Sequence, residues 1–333
     1  MTTPQQIPCP KRPEDLTVLI NHDNYEPYLR ELKQRFPNIN FVVKDGFDGL
    51  SETLDEVQPD CVLSFRMGNK GPFPRELLLN HPSIAWLHAT GAGIEHLPPW
   101  NAERMMVTNS SGLHVDIMAQ YAVWAILNQS LRVPTYLDQQ RRHEWRLYPV
   151  DSVRGKTAVI VGIGKVGRGI ARQLKQLGMR VVGVRRHPDP VSEADITYTM
   201  DRLDDALGEA DFVLLITPLT DETRGLFDAE RLRKIKHGAH LINLARGNIV
   251  NEGAMIERIR EGQLNGATID VFANEPLSED DPIWDAPNVI VTPHASGELE
   301  NWQFHAAMVF ADNLEHWLTG KDLANLCDPE LGY

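Results

Sequence analysis

The sequence predicts an α/β protein with two doubly wound parallel-sheet domains, on three observations. Short β-like runs alternate with amphipathic segments from Leu16 to Thr108, a second alternating series runs from Thr157 to Thr292, and that second series opens on a glycine turn between a strand and a helix. Strands that alternate with helices imply a parallel sheet covered on both faces.

In the first series the pattern predicts strands at 17–20, 40–43, 61–65, 84–88 and 105–108, with helices at 26–36, 50–57 and 74–80. Two stretches at strand ends can meet a ligand. Thr90-Gly91-Ala92-Gly93 follows the strand at 84–88, and its amides can hold a carboxylate, although a turn that merely needs glycine has the same look. Arg66 follows the strand at 61–65 and can pair with an anion, although a solvated loop arginine is the favoured reading. A mostly apolar helix at 114–128 comes next, then a second at 133–143. A helix apolar nearly all round is buried, in its own core or against a partner subunit, and Trp145 in the loop that follows can serve the same interface.

The stretch from Thr157 to Gly178 organises the second series. Ala158-Val159-Ile160-Val161 is cut off by Gly162-Ile163-Gly164-Lys165-Val166-Gly167, and a helical pattern follows with Ile170, Leu174 and Leu177 on one face. Gly162 permits the turn, Gly164 lets backbone approach a pyrophosphate, and Gly167 lets the helix sit against the strand. Lys165 and Val166 open the helix, whose N-terminus offers free N–H groups and a positive dipole end. The next strand, 180–184, ends in Arg185-Arg186 where an NAD-binding unit usually has an acid for the ribose 2′-hydroxyl. Two guanidiniums there would pair with a 2′-phosphate, so NADP(H) is favoured over NAD(H); a solvated pair at a strand end is the plain alternative. Helices at 203–207, 229–235 and 252–261 alternate with strands at 211–216, 240–244, 266–270 and 288–292. The last helix, 298–318, leaves this pattern and can cross back to the first domain, which makes that domain discontinuous.

Bulk composition narrows the function classes. With 333 residues, 42% hydrophobic and 24% charged, the chain is long enough for two domains and has the make-up of a soluble protein. Its longest apolar runs are strand-sized, far below the roughly 20 residues of a membrane-spanning helix. A formal net charge of −13 argues against a general nucleic-acid binder. Residues 1–16 hold four prolines and no apolar core, so they read as a loose leader rather than a signal peptide, and the protein is expected in the cytosol. Cys9, Cys61 and Cys327 are far apart and lack metal-ligand spacing, so no metal is expected.

Three strand ends of the second series carry chemistry: Ala245-Arg246-Gly247, Asn274-Glu275-Pro276 and Pro293-His294. Singly each has a structural explanation, as a loop cap, a solvated acid or a satisfied histidine. Together, beside a cofactor, they suit hydride transfer to a 2-oxo acid. An arginine binds the carboxylate and polarises the carbonyl, a histidinium protonates the developing alkoxide, and a glutamate beside the histidine favours its charged form.

These segments, with Thr217-Pro218-Leu219-Thr220 to Thr223-Arg224-Gly225, Ile242-Asn243-Leu244 and Asp270-Val271-Phe272, resemble the D-isomer-specific 2-hydroxyacid dehydrogenase family, from about Ile84 to Leu323. The resemblance implies a flavodoxin-like substrate domain from residues 1–112 and 296–333, an inserted Rossmann domain at 113–295, a cleft between them, and a homodimer. It implies His294 as acid/base, Glu275 as its partner and Arg246 as the substrate-carboxylate residue, joined by the amides of Ala92 and Gly93. It implies Asp270 at the nicotinamide carboxamide and Thr217 and Ala245 along its ribose. Arg185 and its neighbour resemble the NADPH-preferring glyoxylate and hydroxypyruvate reductases. Met118-Ala119-Gln120 and Asn251 depart from the usual pattern. Arg66, Met67, Trp302 and Trp145 are candidates for shaping the side-chain pocket. A formate- or phosphite-oxidising relative and a cofactor-sensing corepressor share the fold and stand as alternatives.

Overall fold

The computed structural model describes residues 6–65, 71–187 and 189–330, so the candidates Arg66 and Met67 lie outside the described residues. The chain divides into two compact units, Met1–Leu113 with Glu300–Tyr333, and His114–Leu299. Each is built on one parallel sheet, as the sequence predicts.

In the first unit β1 (Thr17–Asn21), α1 (Glu26–Arg35), β2 (Asn40–Lys44), α2 (Leu50–Val57), β3 (Cys61–Ser64), α3 (Arg75–Asn80), β4 (Trp86–Ala89) and β5 (Met106–Asn109) follow in order. The sheet runs β2-β1-β3-β4-β5, every pair parallel. Alternate strand residues feed two cores, which is what a sheet covered on both faces requires. Val18, Ile20, Leu63 and Trp86 pack with α1 and the C-terminal helix Trp302–Thr319, while Leu19, Val62 and Leu87 pack with α2 and α3. Trp86 stacks on Phe310 at 5.0 Å and meets Trp317 edge-on at 5.3 Å, anchoring that helix to the sheet. The helix starts at Trp302, later than its apolar pattern suggests, after Asn301 in a left-handed conformation with φ of 57°.

The expectation of a loose leader is corrected for residues 6–16. Gln6 bonds the carbonyl of Lys321 and the amide of Leu323, both at 2.8 Å, and Trp317 Nε1 donates to the carbonyl of Ile7 at 2.8 Å. Lys11 pairs with the buried Asp60 at 2.8 Å. Apart from a single 3-10 turn at Pro13–Asp15 the segment is irregular, yet it satisfies its backbone against a neighbouring helix end.

The second unit holds α4 (Val115–Ser130), α5 (Val133–Arg142), β6 (Thr157–Val161), α6 (Lys165–Gln176), β7 (Arg180–Arg185), β8 (Ile196–Thr199), α7 (Leu203–Leu207), β9 (Phe212–Leu215), α8 (Ala229–Lys234), β10 (Ala239–Asn243), α9 (Glu252–Arg260), β11 (Leu264–Ile269) and β12 (Val289–Val291). Strand order is β12-β11-β10-β9-β6-β7-β8, all parallel. The chain winds outward from β6 through β7 to β8, then returns beside β6 as β9 and winds the other way. Open α/β sheets bind ligands at such a reversal, beyond the carboxyl ends of the strands. β8 is absent from the sequence reading: it is a half-buried edge strand of four residues, Ile-Thr-Tyr-Thr, too short and polar to stand out from the loop before it.

On α4 one side is buried, through Ala119, Ala122, Ala125 and Ile126, while Trp124 on another side is 41% exposed. No helix among the described residues is long and apolar enough to cross a membrane.

Candidate active site

The glycine turn sits at the strand reversal. Gly162 has φ of 98°, and a β-carbon there would lie 2.6 Å from the amide nitrogen of Thr217 and 2.7 Å from the carbonyl carbon of Ile216, so this position accepts glycine alone. The close approach seats the loop after β6 on the loop after β9 and brings Thr217 beside the glycines. At Gly164 a β-carbon would meet nothing within 4 Å, and no side chain caps the start of α6. Open space in front of uncapped helix amides is what a pyrophosphate needs, so these residues fit a dinucleotide. Lys165 is exposed there, Val166 packs inward against the core beneath, and Gly167 lies against the carbonyl of Gly162.

The two arginines at the end of β7 are in different states. Arg186 pairs with Glu222 of the loop after β9 at 2.8 Å. Arg185, at the last position of β7, has no hydrogen-bond or ion-pair partner among the described residues.

Beyond β10, Asn243 folds the chain back on itself. Its amide group donates to the carbonyl of Arg246 at 3.0 Å, and its oxygen accepts from the amide of Ala245 at 3.1 Å. The backbone thus turns Arg246 out of the sheet while Ala245 stays buried, and Arg246 Nη1 donates to the carbonyl of Ala245 at 2.7 Å. At Gly247 a β-carbon would fall 1.9 Å from the carbonyl carbon of Phe272. The Arg246 loop is therefore pressed, main chain on main chain, against the loop after β11.

That second loop carries Glu275. One carboxylate oxygen accepts from the amide of Phe272 at 2.9 Å, and the other meets His294 Nδ1 at 2.8 Å. Glu252 at the start of α9 braces the same loop by accepting from the amide of Ala273 at 2.9 Å, and its burial there holds its carboxyl above the usual range. With Nδ1 donating to Glu275, the ring of His294 presents Nε2, and the side chain is 48% exposed, so that nitrogen is open to a ligand.

His294 itself has φ of 54°, in the left-handed region, and Asp270 holds it there. The carbonyl of Asp270 accepts from the amide of His294 at 2.8 Å. Its carboxylate accepts from the amide of Ala295 at 2.8 Å, the amide of Ser296 at 2.9 Å and the hydroxyl of Thr292 at 2.6 Å. Asp270 is wholly buried, and a buried carboxylate needs such a set of donors. Tyr121 of α4 donates in turn to Thr292.

The structure thus joins Glu275 to His294, sets the Arg246 loop against the Glu275 loop, and puts all three at the strand ends that hold the glycine turn. Ala92 and Gly93 belong to the other unit. They follow β4 on a loop fixed by Asn109, which donates to the carbonyl of Ala92 at 2.8 Å, and their own amides donate to nothing among the described residues. The model of the D-isomer specific 2-hydroxyacid dehydrogenase NAD-binding domain matches residues 123–296, the second unit with its glycine turn and its three chemical loops. The chain belongs to the D-isomer-specific 2-hydroxyacid dehydrogenases.

Among proteins similar to this chain, the glyoxylate reductase of Aeropyrum pernix is 32% identical over 268 residues, 77% of this chain and 80% of its own length. D-3-phosphoglycerate dehydrogenase of Mycobacterium tuberculosis is 30% identical over 250 residues, 74% of this chain but only 47% of the relative, so the chain spans about half the length of that protein. The crystal structure of a D-isomer specific 2-hydroxyacid dehydrogenase from Xanthobacter autotrophicus, in complex with NADPH and MES, superposes with a TM-score of 0.81 at 27% identity, covering 95% of this chain and 99% of that one. Sequence reasoning misses Asn243, Glu252, Thr292 and Tyr121 as residues that support the site. Asn243 acts through a local side-chain turn onto Ala245 and Arg246, whereas Glu252, Thr292 and Tyr121 act through hydrogen bonds to residues at least 21 positions away.

Proposed function

We propose that the chain reduces a small 2-oxo acid to the D-2-hydroxy acid with NADPH. The observation that carries this reading is the His294–Glu275 pair at 2.8 Å, on a loop packed against that of Arg246, at the strand ends that present the dinucleotide turn. Gly162, Gly164 and the first amides of α6, with Lys165 and Val166, hold the pyrophosphate. Thr217 and Ala245 line the nicotinamide ribose, and Asp270 takes the carboxamide. When bound, the nicotinamide supplies the hydride.

The protein's own residues do the rest. Arg246 binds the substrate carboxylate and polarises the carbonyl, with the free amides of Ala92 and Gly93 as further donors to the carboxylate. Glu275 holds His294 in the tautomer and orientation in which Nε2 delivers a proton to the developing alkoxide. Exposed apolar side chains on the segment after α4 support a homodimer: Trp145 is 102% exposed, Leu147 88% and Leu137 49%. Reduced thiols at Cys9 and Cys61 suit a reducing cytosol.

The reading is tested by following NADPH and NADH oxidation with glyoxylate, hydroxypyruvate, pyruvate, phenylpyruvate and branched 2-oxo acids. Turnover of at least one acid, faster with NADPH, is expected; tight cofactor binding without turnover of any acid would favour a cofactor sensor.

Arg185 supplies the cofactor prediction. A carboxylate in place of the unpartnered guanidinium repels a 2′-phosphate, whereas the 2′-hydroxyl of NADH accommodates it. Arg185→Asp is expected to raise the Kd for NADPH by about 10²-fold, the scale of a charge-assisted hydrogen bond turned repulsive. Kd for NADH should change by less than about threefold. Fluorescence titration of the reduced cofactors reads both, and equal losses would remove Arg185 from the phosphate site.

A further inference from the structure

The hydrogen bonds that reach Asp270 from α4 run in one direction only. The Asp270 carboxylate can only accept, so the single hydroxyl proton of Thr292 points to it at 2.6 Å. Thr292 Oγ1 then has only lone pairs for Tyr121, whose phenol must be the donor. Burial pushes the Tyr121 pKa up to about 12, so the phenol keeps its proton throughout the neutral range. Tyr121 is itself fixed, its ring packed on Trp124 at 4.9 Å between centroids. The relay therefore starts on a rigid helix and ends on the carboxylate that bonds Ala295 and Ser296, while the carbonyl of the same residue bonds His294. It lies wholly within the second unit.

We propose that Tyr121 is a positioning residue for His294: through Thr292 it fixes the carboxylate of Asp270, and that carboxylate holds the left-handed turn on which the imidazole meets Glu275. The proposal rests on the reading of His294 as the proton donor. Tyr121 touches neither substrate nor the reacting atoms, and acts through the geometry of the turn. The role belongs to the hydroxyl and not to the ring.

Tyr121→Phe keeps the ring and its packing on Trp124 and removes the first donor. In the full-length protein with NADPH, hydrogen exchange read by mass spectrometry is expected to speed up about tenfold at Ala295 and Ser296 while α4 keeps its rate. With an accepted oxo acid, kcat falls about five- to tenfold, the scale of one hydrogen bond. KM stays within about twofold, and the solvent deuterium isotope effect on kcat rises, because delivery of the proton is the step that suffers. Thr292→Val gives the same losses, the double variant is no worse than Thr292→Val alone, and Thr292→Ser, which keeps the hydroxyl, has wild-type rates.

Unchanged exchange in the turn, faster exchange along all of α4, wild-type kcat, or additive losses in the double variant each overturn the proposal. His294→Ala, run beside these, separates the two readings. If His294→Ala is inactive and Tyr121→Phe is normal, only the relay falls. If His294→Ala turns over at the wild-type rate, the proton-donor reading falls and takes the positioning role with it.

Discussion

Replacing His294 by alanine is expected to lower kcat for oxo-acid reduction by about 10²–10⁴-fold, the usual worth of a placed general acid. The side chain bonds only Glu275 among the described residues, and its Nε2 is open. Its removal therefore strands no buried group, and the turn itself is held by the amides of residues 294–296 on Asp270 rather than by the ring. Alanine gives up the several-fold advantage histidine has in the left-handed region, which costs a small amount of stability and no cofactor affinity. The measurement is steady-state kcat beside a fluorescence titration of NADPH: kcat collapses and Kd holds within about twofold. A variant that turns over normally would remove His294 from the chemistry.

Arg246→Ala should lower kcat/KM for the oxo acid by about 10²–10³-fold, with KM rising as kcat falls. The split differs from that at His294 because a guanidinium bonded to a carboxylate serves the bound substrate and the transition state alike, whereas a proton donor serves chiefly the latter. Arg246→Lys is no rescue: a point ammonium cannot reproduce a planar fork that meets two oxygens at once. The loop should keep its shape in either variant, since Asn243 grips its backbone and not its side chain. A KM unchanged within about twofold would show that the carboxylate is bound elsewhere.

Much of this site is legible in the sequence because a dinucleotide turn is a local object. Gly162, Gly164 and Gly167 lie within six residues, and the strand before them and helix after them are nearest neighbours in the chain. The residues Arg246, Glu275 and His294 are legible for a related reason: parallel strands all point the same way, so every chain segment leaving β10, β11 and β12 emerges at one edge. What the sequence conceals is the pairing across that edge. Tyr121 and Thr292 are 171 positions apart, and nothing near either names the other. Arg185 and Arg186 look equivalent until Glu222, 36 residues on from Arg186, takes one of them. The short edge strand Ile196–Thr199 is hidden because its pairing with β7, rather than its own pattern, makes it a strand. The packed leader from Gln6 is hidden likewise, since its partners lie more than 300 residues away.

The junction at Gly247 carries a wider consequence. No side chain separates that residue from the peptide of Phe272, so the spacing between the arginine that would grip the acid and the pair that would deliver its proton is gauged by bare backbone. Side-chain exchange cannot lengthen that gauge. A variant lineage that acquires a taste for bulkier acids has to remodel other walls of the pocket, while the distance from carboxylate to carbonyl, common to every 2-oxo acid, stays cast in the main chain.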